Sequence, residues 1–96
     1  MNIISSEIPE NFSLSQNYPN PFNPMTKIKF QLPNKGFVNL KVFDMLGKEV
    51  GILVNGDLSA GTYEYEWNAV NLPSGIYFYR FTTGNYTETK KMILVK

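Results

Sequence analysis

The stretch Thr62-Tyr63-Glu64-Tyr65-Glu66-Trp67 decides the fold of this chain. Its three rings and two carboxylates alternate without a break. Successive side chains of an extended strand point to opposite faces, so a period of two sends Tyr63, Tyr65 and Trp67 one way and Glu64 and Glu66 the other. A helix would scatter the same residues around its circumference. The spacing predicts a half-buried strand with its rings in a core and its acids in water.

The same period continues towards the end of the chain. Leu72-Pro73-Ser74-Gly75 has the composition of a turn, and Ile76 to Thr83 follows as a long strand, apolar on both faces apart from Arg80. Two-sided hydrophobicity predicts a central place in a sheet. Tyr77, Tyr79 and Phe81 form the expected inner set, because Arg80 shares its side with Ile76 and Phe78. Gly84-Asn85 suits a tight hairpin, and Glu88 to Lys96 returns as the final strand.

Towards the start, Lys48 to Val54 reads as a shorter strand, with Val50 its surest core residue and Gly51 a bulge. Asn55-Gly56-Asp57 and Ala60-Gly61 bracket a loop. Val38, Leu40 and Val42 alternate with Asn39 and Lys41, and Asp44-Met45-Leu46-Gly47 carries the Asp-first, Gly-fourth signature of a type I turn. Ile28, Phe30 and Leu32 alternate with Lys27, Lys29 and Gln31, and Pro33, Asn34 and Gly36 end that strand.

Before it lies Asn17-Tyr18-Pro19-Asn20-Pro21-Phe22-Asn23-Pro24, where three prolines fix φ and forbid a helix. The expected result is an extended, turning segment whose Tyr18 and Phe22 rings fold back onto the module. Residues 1–16 are polar without a steady period and read as a linker or disordered lead-in, with one short strand near Phe12 to Leu14. The domain proper is expected at residues 17–96. Short strands at this spacing, with no competing helical pattern, predict an all-β fold: an immunoglobulin-like antiparallel β-sandwich of about seven strands.

The composition narrows the function. With 96 residues and a net charge of +1, the chain is one domain with little long-range attraction for nucleic acid or anionic lipid. It has no cysteine, which removes disulfides and thiolate zinc sites. Met1 to Gln16 lacks the basic start and apolar run of a secretory signal. Met92 to Val95 is far shorter than the about 20 apolar residues of a membrane span. Acting outside the cytoplasm would therefore make this the end of a longer precursor.

No constellation of residues suggests catalysis. Histidine is absent, which removes the commonest general base and any Ser-His or Cys-His pair. Glu64 and Glu66 lie on one outward strand face instead of facing each other across a substrate. Asp44, Asn55, Asp57 and Asn71 are turn residues without the dense acidic pattern of a calcium loop. The glycines form no phosphate loop or dinucleotide fingerprint. No enzyme activity, cofactor or metal is expected.

Taken together, Asn17 to Pro24, Val42-Phe43-Asp44-Met45-Leu46-Gly47, Ala60-Gly61-Thr62-Tyr63 leading to Trp67, Leu72-Pro73-Ser74-Gly75-Ile76-Tyr77 and the closing Lys90-Lys91 to Lys96 resemble the type A C-terminal sorting domain of the type IX secretion system, the Por secretion tail family. The resemblance runs from about Leu14 to the end. It implies a folded signal at the end of a cargo protein, which enters the periplasm, crosses the outer membrane through a dedicated translocon and reaches the cell surface or medium. It also implies a sortase-like cysteine protease that removes the domain, within the lead-in near Met1 to Gln16, and can join the cargo to surface lipopolysaccharide. By the same resemblance, the recognition residues fall on Pro73, Gly75, Tyr77, Gly84, Lys90, Lys91 and Lys96. The expected mode is β-augmentation, with the last strand offering an open edge to a partner strand.

Two other functions fit a sandwich of this kind, since architecture does not fix function. One is a structural spacer resembling the domain of flagellar hook-capping proteins. The other is a carbohydrate-binding or adhesive module, which would need Trp67 or several tyrosines on the surface.

Overall fold

Antiparallel pairing of the alternating segments produces two sheets in the computed structural model, which describes residues 1–5 and 7–96. The strands are β1 (Asn2–Ser5), β2 (Ser13–Leu14), β3 (Met25–Leu32), β4 (Gly36–Asp44), β5 (Glu49–Leu58), β6 (Gly61–Asn68), β7 (Gly75–Thr83) and β8 (Tyr86–Leu94). One sheet has the order β1-β6-β3-β2 and the other β5-β4-β7-β8. β4 lies beside β7 although β5 and β6 intervene in sequence, which is the Greek-key crossing of immunoglobulin-like sandwiches. The fold is all-β, as the alternation predicts.

The period-two reading also fixes which side chains are inside. Ile28, Phe30 and Leu32 from β3 meet Val38, Leu40 and Val42 from β4, Tyr79 and Phe81 from β7 and Met92 and Leu94 from β8. All ten are essentially inaccessible to water. Each is worth about 1.5–3 kcal/mol in apolar burial, so the core needs no covalent staple. Rings knit the layers together: Phe30, stacked on its cross-strand neighbour Tyr63 at 5.4 Å, leans on Phe81 of the other sheet at 5.0 Å.

Three readings change. The lead-in holds two short strands: β1 pairs with β6 through Asn2↔Glu64 and Ile3↔Tyr63, and β2 pairs with β3 through Leu14↔Phe30. β5 runs on to Leu58, so Asn55-Gly56-Asp57 is strand, opposite Asn39, Val38 and Phe37. Leu58 reaches the core margin, and that burial outweighs the turn-like composition before it. The bulges of β5 also shift: register breaks put the extra residues at Val50 and Leu53, while Gly51 itself faces Val42. Both bulged side chains pack against the core.

The proline segment becomes a strap across the end and side of the sandwich. The peptide bonds before Pro19, Pro21 and Pro24 are cis. Prolines have no N–H to offer a ladder, so side chains supply the missing bonds. The buried Asn17 Nδ2 donates to Thr26 Oγ1 at 2.9 Å and to the Pro19 carbonyl at 3.1 Å. The Asn17 backbone N–H donates to the Tyr79 hydroxyl at 2.8 Å, and that hydroxyl donates to the Ser15 carbonyl at 2.7 Å. Phe22 then drops into the core, 1 % exposed, beside Trp67.

Just ahead of β2, Phe12 stacks on Tyr86 of β8 at 5.1 Å, and the Tyr86 hydroxyl donates to Glu88. That hydrogen bond, then burial and the Glu88 charge, push the Tyr86 phenol up to about 12. The same bond, foremost, holds the Glu88 carboxyl below its ordinary range, with help from Lys90.

Two predictions follow from these contacts. Tyr79→Phe strands the Asn17 N–H and the Ser15 carbonyl and should cost about 1–3 kcal/mol in urea unfolding. For the Tyr86–Glu88 pair, a raised phenol stabilises the fold below its unfolded pKa near 10 and loses that contribution as pH climbs towards 12. A lowered carboxyl stabilises above the unfolded value of 4.5 and loses its contribution as pH falls below it. Stability contributed by the pair should therefore be flat between those limits and fall on both sides. Tyr86→Phe should flatten both limbs in unfolding measured across pH; a profile unchanged from the parent chain would refute the coupling.

Candidate functional site

Backbone hydrogen bonding decides what the last strand can offer a partner. β8 is an edge strand, as expected, but its outer side from Lys91 to Val95 is already taken. Phe22 N–H donates to the Ile93 carbonyl and Val95 N–H to the Phe22 carbonyl, both at 2.9 Å. Asn20 Oδ1 accepts from Ile93 N–H at 3.0 Å, and Gln16 Nε2 donates to the Lys91 carbonyl at 2.8 Å. The expectation of an open edge there is corrected: a strand added from outside would have to displace the strap and withdraw Phe22 from the core.

Four of the seven residues singled out in the sequence meet at one end of the sandwich. Pro73 is exposed in the loop before β7, and its carbonyl accepts from the Tyr77 hydroxyl at 2.7 Å. Gly75 opens β7 with φ of 158°, a conformation that side chains rarely adopt, although a Cβ there would meet nothing within 4 Å. Tyr77 is 4 % exposed and packs edge-on to Trp67. Burial, and to a smaller degree the nearby Asp44 charge, raises its phenol pKa. Lys96 N–H donates to Ser74 Oγ at 3.0 Å, and its ammonium to the Val70 carbonyl at 2.6 Å.

The other three lie elsewhere. Gly84 sits in the β7–β8 turn at the opposite end, with φ of 56°. Lys91 projects from the outer face of its sheet, whereas Lys90 turns to the other side and pairs with Glu88 at 3.2 Å. The seven residues thus form one cluster and three outliers. Beside the cluster stands the Asp44–Gly47 turn, which the sequence marked as a turn and a shared motif but not as a recognition site. Asp44 Oδ1 accepts from Leu46 and Lys48 N–H, both at 2.9 Å, and Gly47 adopts φ of 82°. This rigid tip leaves Met45 and Leu46 in solvent.

Chemistry at this surface is sparse. Two shallow depressions of about 350 and 210 Å³ flank the Tyr18 ring, which is 79 % exposed. Lys27, Lys29, Glu64 and Glu66 border them. Among the described residues no three His, Cys, Asp or Glu side chains lie close enough to hold a metal ion. No helix among them is long and apolar enough to cross a membrane. Tyr63, Trp67, Tyr77 and Tyr79 are all buried, so the row of rings that an adhesive module would display is spent on the core.

Comparison with known proteins agrees with the motif pattern. No curated protein matches the chain. The family model for the secretion system C-terminal sorting domain matches residues 16–96, which takes in the strap, every strand from β3 to β8 and the Pro73–Tyr77 cluster. The chain therefore belongs to the secretion system C-terminal sorting domain family, whose members act as sorting signals for type IX secretion.

Proposed function

We propose that residues 17–96 carry a covalently preceding cargo from the periplasm through the type IX translocon, and that residues 1–16, whose β1 and β2 pair onto the sandwich, lead into it from the connection to the cargo. A sortase-like protease then cuts in the connection and attaches the cargo at the surface. In this scheme the domain is a substrate and performs no catalysis, and its contacts are with protein, not nucleic acid or the bilayer interior. Membership of a sorting-signal family places the destination at the cell surface or beyond.

One observation carries the reading: the family match covers the strap and every strand from β3 to β8. The strap holds β8 and Phe22 fills the core beneath it, so the signal is a folded shape. Pro73, Gly75, Tyr77 and Lys96 would be read as a shaped end of the sandwich, with Lys90, Lys91 and Gly84 contributing from separate positions. Recognition through turns and side chains fits the occupied β8 edge better than strand addition does.

Deleting Lys90 to Lys96 cannot test this cleanly, because it also removes Met92 and Leu94 from the core. The better experiment fuses residues 1–96 behind a periplasmic reporter in a host with a working type IX system. The reporter should appear outside the cell. Retention in the periplasm with the domain folded would overturn the proposal and favour a structural spacer. Phe22→Ala should cost about 3–5 kcal/mol in thermal or urea unfolding, the range for truncating a buried ring, and should leave the reporter inside.

A further inference from the structure

The two outer faces of the sandwich differ in kind. On the β1-β6-β3-β2 sheet, Lys27 lies opposite Glu66 and Lys29 opposite Glu64, so the face is polar and its charges cancel. Such a face is content in water. On the other sheet, β7 sets Ile76, Phe78 and Arg80 outward, between Phe43 of β4 and Lys91 and Ile93 of β8. Phe43, Phe78 and Lys91 form one cross-strand row, and Ile76 and Ile93 form another. β7 is central in its sheet, yet Phe43, Ile76, Phe78 and Ile93 on this second, apolar face are only half-buried.

Its charges do not cancel either. Glu49 is held by Lys41 at 3.0 Å. The Arg80 guanidinium lies 4.6 Å over the Phe43 ring, and neither Arg80 nor Lys91 has a carboxylate within ion-pair distance among the described residues. Both side chains are exposed. An apolar strip edged by two unpaired cations is not needed for folding, which is satisfied on the inner face. It complements a surface of opposite charge and similar polarity.

We propose that this face, centred on Phe78 and flanked by Arg80 and Lys91, docks a protein surface that presents carboxylates beside apolar side chains. The inference rests on the sorting role proposed above and adds a second contact surface to the Pro73–Lys96 end. A second copy fits poorly, because a two-fold pairing would place the same unpaired cations against each other. Nucleic acid fits poorly too, since so few cations would neutralise few phosphates.

The test compares two double charge reversals that change net charge equally, in the reporter fusion. Arg80→Glu with Lys91→Glu alters this face, and Lys29→Glu with Lys35→Glu alters exposed lysines elsewhere. The first should lower export by about tenfold or more, as expected when flanking charges are turned against a complementary surface, and the second should leave it near the parent level. Lys91→Glu alone spares the Arg80–Phe43 stack and should lower export in the same direction, with unfolding midpoints confirming that each variant folds. Equal export from both double variants, or equal loss, would overturn the assignment. So would a dimer in sedimentation, or binding to anionic phospholipid vesicles, that Arg80→Glu with Lys91→Glu abolishes. Failure of the unaltered fusion to leave the periplasm would instead sink the sorting role, and this inference with it.

Discussion

The seat of Phe22 holds the sandwich together in a way no single strand pairing does. Its ring lies between the sheets against Trp67, while its own N–H and carbonyl bond Ile93 and Val95 on the edge of β8. One residue thus joins the core, the strap and the last strand. Asn17 and the Tyr79 hydroxyl anchor the strap at its other end. Just ahead of β2, Phe12 reaches the start of β8 by stacking on Tyr86. The outer margin of β8 from Lys91 to Val95 is therefore occupied by the chain's own N-terminal third.

That arrangement bears on how a folded domain can act as a signal. A linear tail would be read residue by residue, and its information would survive unfolding. Here Pro73, Tyr77 and Lys96 are neighbours only because β7 follows directly from its loop and β8 runs back beside it. A reader that engages this end detects that folding has finished.

Strands were legible in the sequence wherever one face is buried and the other wet, because alternation then records both environments. This holds for Ile28 to Leu32, Val38 to Val42 and Tyr63 to Trp67, whose inner residues were identified correctly. Elements lacking that contrast were harder to see. β1 is exposed along nearly its whole length, so no pattern marks it, and only its pairing with β6 makes it a strand. Asn55 to Asp57 have turn composition but are held extended by β4, a long-range contact that local propensity does not encode. The closure of the β8 edge was invisible for a similar reason: Gln16 and Asn20 act through side chains some seventy residues away. The site was legible in part. The proline-glycine-tyrosine spacing located one end of the molecule, but spacing could not reveal that Lys90 and Lys91 point to opposite sides of their sheet.

With β8 occupied, β5 is the long flank of its sheet with a free side, and its irregularities acquire a meaning. The doubled residues at Val50 and Leu53 coil that flank and interrupt the even spacing of its amides and carbonyls. A neighbouring molecule seeking to extend the sheet would find no straight template, a common protection against polymerisation. Two misfits in one ribbon thus discourage the edge-to-edge addition of further copies.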